Sequence, residues 1–180
     1  QFPVLEPGLR RLAAHNDGRV LLSPPLAEIL AHYGKQYVAV GVGTSGNAFV
    51  HNPHPEFSNG ATIHPEFCLP DDLHPEIIER FGVWPDEEYP NSARVRHAGK
   101  IITDYVLSER QPDVTLLWSS EPDKSQHRDG VNSDLGKRAL AMADAEFGRI
   151  LDWLAENGRL EDTDVIVLSD HGYSTISEVI

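Results

Sequence analysis

Short runs of apolar, largely β-branched residues alternate along this chain with longer stretches of helical periodicity, and this alternation constrains the fold more than any other feature. The runs cover residues 36–42, 114–118 and 165–168. Continuous apolar runs of this length read as inner strands of a parallel sheet, because such strands are buried on both faces. Between them, residues 24–34 read as a helix with Ser23 as N-cap, Pro24 and Pro25 at its start, Leu26, Leu30 and Tyr33 on one face, and Gly34 as the stop. Residues 92–110 follow the same logic: Ile101, Ile102 and Tyr105 share a face, and Pro112 marks the end. A longer helix over 133–157 carries Leu140, Ala143, Phe147, Leu151 and Leu154 at steps of three and four, then stops at Gly158. Strands and helices in this order predict an α/β fold, a mainly parallel sheet with helices on both faces. Residues 43–90 are rich in Pro, Gly, Asn and His, which predicts long loops on the ligand side and one short helix near 76–81.

Two of the predicted strands end in the same chemistry. The run at 114–118 leads into Glu121-Pro122-Asp123 and then His127, and the run at 165–168 leads into Asp170-His171-Gly172. Open α/β sheets bind ligands at the carboxyl ends of their strands. Carboxylate oxygen with imidazole nitrogen is a donor set for a divalent ion of zinc type, and two such sets predict two metal ions. Helix or turn capping explains one Asp at such a junction; it does not explain an Asp and a His arriving together at two strand ends. Glu121 is read either as a hydrogen-bond partner that orients a ligand or as an exposed loop acid.

Composition narrows the partners. With 180 residues and 40% apolar content the chain can build one globular core. Its formal charge of −13 opposes nonspecific binding to nucleic acid, but a bound cation can reverse the local potential for a phosphate ester. No apolar run is long enough to span a membrane. Cys68, the single cysteine, reads as a buried side chain and can form no intrachain disulfide.

Other motifs point less far. Gly41-Val42-Gly43-Thr44-Ser45-Gly46 matches a dinucleotide fingerprint, but Pro53 and Pro55 follow closely and argue against the helix that the fingerprint must open. A turn whose backbone or Asn47 side chain touches substrate, or a purely structural turn, is the better reading. His54, His64 and His74 each begin a His-Pro-Glu tripeptide, yet proline after histidine favours extended geometry at the histidine, which suits turns and strand entries better than metal ligation.

Taken in order, Glu121-Pro122-Asp123, His127, Gly130, residues 144–148 and Ser169-Asp170-His171-Gly172 resemble the type I phosphodiesterase and nucleotide pyrophosphatase family of the alkaline phosphatase superfamily. The clearest stretch is 113–173, and residues 43–49 and 60–65 are more loosely similar to bacterial members. The resemblance implies an alkaline phosphatase-like fold and hydrolysis of phosphodiester or pyrophosphate bonds in a small phosphate ester or nucleotide. It implies two divalent metal ions, most simply zinc, one on Asp123 and His127 and the other on Asp170 and His171. Two ions about 4 Å apart stabilise both the attacking and the leaving oxygen of an in-line displacement at phosphorus.

The family's Thr or Ser nucleophile has no match before residue 24, and its further His ligand no match after Gly172, so this chain is expected to be a central part of a larger catalytic domain. Thr44 lacks the neighbouring Asp motif of that nucleophile. Alternatives are a noncatalytic metal-binding or interaction domain of the same fold, a related hydrolase of phosphomonoesters, phosphonates or sulfate esters, and an oxidoreductase resting only on the glycine motif.

Overall fold

The computed structural model describes residues 3–174. Its centre is β1 (Tyr37–Gly41), whose five residues are all buried. The sheet has four strands in the order β3-β2-β1-β4. β2 (Ala61–His64) and β4 (Val114–Trp118) lie parallel to β1 on either side, and β3 (Phe67–Leu69) pairs antiparallel with β2. Tyr37 pairs with Val114 and Gly41 with Trp118, so the carboxyl ends of β1 and β4 finish side by side. That edge carries the site.

Successive strand residues face opposite ways, and the two faces of β1 accordingly meet different helices. Val38 and Val40 join the main core with Ile77 of α4 (Leu73–Phe81), Val95, Ala98 and Ile101 of α5 (Ser92–Ile101), and Leu154 of α7 (Asp134–Glu156). Tyr37 and Ala39 pack with Ala27 and Leu30 of α2 (Leu26–His32). A third cluster joins Ala48 and Phe49 of α3 (Ser45–His51) to Phe67, Leu69 and Leu9 of α1 (Glu6–Ala14). The expected α/β architecture, mostly parallel with helices on both faces, is present.

Several elements differ in detail. The helix predicted over 24–34 is shorter, with Pro25 rather than Ser23 at its N-cap. It buries Ala27 and packs Leu30 of the predicted stripe, while Leu26 and Tyr33 are 55% and 72% exposed. The helix over 92–110 changes winding: α5 runs on into a π-helical stretch, Ile102–Arg110, that keeps Ile102, Tyr105 and Val106 buried. α7 matches its predicted span, is capped by the Ser133 side chain on the Gly136 N–H and packs Leu151 and Leu154 of the predicted stripe into the core, but it also turns Leu135, Ala139 and Glu146 inward and leaves Leu140 exposed. Residues 43–90, expected as long loops with one short helix near 76–81, hold that helix as α4 and also α3, β2 and β3.

The largest correction concerns residues 165–168. They form no strand, and Ile166, Val167 and Leu168 are 76%, 74% and 86% exposed. β-branched composition supplies only half of what a strand requires; the other half is a partner for its backbone groups, and none pairs with this segment among the described residues. β4, the edge strand nearest in order, is only half-buried throughout.

Candidate active site

Beyond Trp118 the chain turns through residues 119–122 into α6 (Asp123–Asp129). The turn is tied internally: the Glu121 N–H donates to Ser119 Oγ at 3.1 Å, and that hydroxyl donates to the Glu121 carbonyl at 2.9 Å. The Glu121 side chain points inward and is 4% exposed. Its Oε1 accepts the Asn91 N–H at 2.8 Å and its Oε2 accepts the Ser125 N–H at 3.1 Å. Asn91 caps α5 and Ser125 lies in the first turn of α6, so one carboxyl group satisfies amides at the starts of two helices. Asn91 Nδ2 also donates to Ser120 Oγ at 3.1 Å. This buried knot fixes where α6 begins, and therefore where Asp123, its first residue, projects.

Asp123 and His127 stand four residues apart on α6 and share a face. His127 Nε2 lies 3.6 Å from Asp123 Oδ1. His171, from the distant segment, brings its Nε2 to 3.6 Å from the same oxygen and 3.7 Å from Asp170 Oδ2. Both histidines thus approach one oxygen of Asp123, and Asp170 adjoins His171. All four side chains remain between 44% and 70% exposed, open to a ligand from solvent.

Sequence reasoning missed Tyr173. Its hydroxyl donates to Asp123 Oδ1 at 2.8 Å and reaches the Asp123 carbonyl at 3.4 Å, and its ring lies 5.2 Å from that of His127 and 5.5 Å from that of His171. Desolvation and the bond to Asp123 push the phenol up to about 12, so it keeps its proton and donates. An aromatic two positions after His171 was visible in the sequence, but such a residue ordinarily signals packing.

The donor chemistry suits a zinc-type ion. Oxygen and nitrogen ligands at 2.0–2.1 Å in a tetrahedral site lie roughly 3.3 Å from one another, close to the pairwise separations of 3.6 and 3.7 Å here. The fit holds pair by pair: among the described residues no group of three or more His, Cys, Asp and Glu side chains converges as a ready metal site.

The glycine motif does something else. β1 is followed by a helix after all, α3, because Pro53 and Pro55 constrain only the residues beyond its last turn, and Thr44 Oγ1 caps it by accepting the Asn47 N–H at 3.4 Å. Its start is covered from within the chain: the Val4 carbonyl lies where a Cβ on Gly46 would go, and the Glu6 N–H donates to Ser45 Oγ at 3.4 Å. The close backbone approach that glycine permits is taken by the chain's own N-terminal segment, not left for a pyrophosphate. Asn47 engages His51 through its Oδ1 at 3.2 Å.

The three His-Pro-Glu histidines have structural partners. His54 pairs with Glu56 and stacks on Phe57, and His74 bonds the Pro65 carbonyl. His64 is 1% exposed; its Nδ1 accepts the Glu66 N–H at 3.1 Å, so Nε2 carries the proton donated to the Gly43 carbonyl at 3.1 Å. Burial lowers its pKa. Cys68 is buried as expected, and burial pushes its thiol up to about 12.

No solved structure gives a significant match to this chain. Among curated proteins it is 32% identical over 92 residues to "Venom phosphodiesterase CdcPDE" of Crotalus durissus collilineatus, covering 51% of this chain and 11% of that protein. It is 34% identical over 92 residues to a venom phosphodiesterase of Macrovipera lebetinus, with the same shares covered. Against "Ectonucleotide pyrophosphatase/phosphodiesterase family member 7" of Homo sapiens it is 28% identical over 72 residues, 40% of this chain and 16% of that protein. The matched stretch is therefore a small part of each relative's length. The sequence model for type I phosphodiesterase / nucleotide pyrophosphatase matches residues 9–180. With nearly the whole length matched, and with the motif residues gathered at one edge of an α/β sheet, this chain belongs to the type I phosphodiesterase / nucleotide pyrophosphatase family.

Proposed function

We propose that this chain contributes the Asp123, His127, Asp170 and His171 ligands of a divalent-metal centre that hydrolyses phosphodiester or pyrophosphate bonds in a small phosphate ester or nucleotide. The observation that carries this reading is the convergence of both histidines, each Nε2 at 3.6 Å, on one oxygen of Asp123. Nothing in simple capping brings a histidine across a gap of more than forty residues to that oxygen.

Zinc-type ions bound there would supply Lewis-acid stabilisation of charge at phosphorus and lower the pKa of an attacking hydroxyl or water. The chain's own residues have distinct tasks. Asp123 and Asp170 supply anionic oxygens, His127 and His171 supply neutral nitrogen donors, and Glu121 holds the helix start from which Asp123 projects. None of these residues is assigned the role of nucleophile. Thr44 caps α3, Ser119 ties the turn before α6, and Ser125 is fully buried.

The test is hydrolysis of a chromogenic phosphodiester in the presence of zinc by the full-length protein, compared with its Asp170→Asn variant. Loss of turnover in the variant, by a hundredfold or more, supports the reading. Equal rates refute it, and zinc uptake without turnover in either protein supports a noncatalytic metal-binding domain instead.

A further inference from the structure

We infer that Tyr173 is a positioning residue: its hydroxyl latches the segment carrying Asp170 and His171 onto the N-terminus of α6 and sets the Asp123 carboxyl group for ligation. The ligation half of this inference rests on the metal reading above, whereas the latch itself does not.

Three observations carry it. The segment 163–172 joins no helix or strand, so nothing in regular secondary structure determines where His171 sits. The side-chain contacts that bring it to α6 centre on Asp123: the His171 imidazole at 3.6 Å and the Tyr173 hydroxyl at 2.8 Å. Only the second is a hydrogen bond by distance. The Tyr173 ring also contacts both histidine rings, at 5.2 Å from the His127 centroid and 5.5 Å from that of His171.

The hydroxyl occupies one lone-pair direction of Oδ1, and a carboxylate offers about four. Ligation and the Tyr173 bond are therefore compatible, and a carboxylate held by a hydrogen-bond donor is oriented before the ion arrives. Partners of this kind are commonly worth ten- to hundredfold in metal affinity.

Tyr173→Phe removes the hydroxyl and keeps the ring, and it can be examined in two independent ways on the full chain. In chelator-treated protein, amide hydrogen exchange over residues 169–174 should quicken by about fivefold in the variant, while exchange in β1 and α7 stays unchanged. With zinc chloride alone as the probe, competition against a chromophoric chelator should show affinity lowered by about tenfold, and Tyr173→Ala should lower it further because the ring is lost as well. Unchanged exchange in Tyr173→Phe overturns the latch. Faster exchange with zinc affinity unchanged or raised overturns the positioning role, the latter showing that the hydroxyl competes with the ion. If the unsubstituted chain takes up no zinc while the exchange difference is present, the latch stands and the metal reading falls.

Discussion

Glu121→Gln tests how the site is built. Glu121 accepts two backbone N–H groups, from Asn91 at 2.8 Å and Ser125 at 3.1 Å, in surroundings that leave it 4% exposed. The amide keeps one acceptor oxygen and places an NH2 group against the other N–H. One hydrogen bond to a charged acceptor is lost, about 1.5–3 kcal/mol, and a buried donor is left facing another donor, which costs a further 1–3 kcal/mol. Relaxation recovers part of this, so about 2–4 kcal/mol is expected. For a chain of this size that corresponds to a fall in Tm of roughly 5–15 °C. Glu121→Ala, which loses both bonds and leaves a cavity, should cost more than Glu121→Gln. Urea unfolding followed by far-UV circular dichroism measures both. A Glu121→Gln variant within about 0.5 kcal/mol of the parent would show that the two helix starts are held by something else, and the account of how Asp123 is aimed would fail.

Gly46→Ala should dislodge residues 4–6 from the start of α3, since the new Cβ meets the Val4 carbonyl; an overpacking cost of about 1–3 kcal/mol and faster proteolysis before α1 are expected. Val167→Thr and Leu168→Ser should each change stability by less than about 0.5 kcal/mol, because both side chains are largely in water; a loss of 1.5–3 kcal/mol for the leucine, typical of a buried side chain, would show that the segment is packed in solution. His51, His64 and His97 all have pKa values lowered by burial, so the unfolded chain binds more protons near pH 6 than the folded one. Stability from these groups is complete above their unfolded pKa of about 6.5 and is lost as pH falls towards their folded values. The urea midpoint should therefore drop between pH 7.5 and 5.5, less steeply in His64→Gln; a midpoint that rises on acidification contradicts the burial described here.

The site residues were more legible in the sequence than the scaffold that carries them. Asp123 and His127 follow an apolar run that does form β4, and their four-residue spacing does place them on one helical face. His171 reaches the Asp123 carboxyl group although its own apolar run forms no strand, so that proximity does not depend on the strand that suggested it. Composition reports that a segment suits a sheet, not whether a strand edge is there to receive it. The same limit explains α7: its sequence carries two neighbouring apolar stripes, and periodicity alone does not say which one meets α5. Gly99 leaves room for the Glu146 side chain, a contact invisible until the two helices are placed together. α3 was missed because proline was given a reach of more than its immediate neighbours. Glu121 was open to two readings in sequence because burial is a property of the folded neighbours, here Asn91 and Ser125.

The central claim, that Asp123, His127, Asp170 and His171 together bind divalent metal, is tested most directly by isothermal titration of the full chain with zinc chloride alongside its Asp123→Ala variant. Because both histidines converge on Asp123, the account predicts saturable zinc binding in the parent and at least a hundredfold weaker binding in the variant with the fold retained. Equal zinc affinity in the two proteins would contradict it.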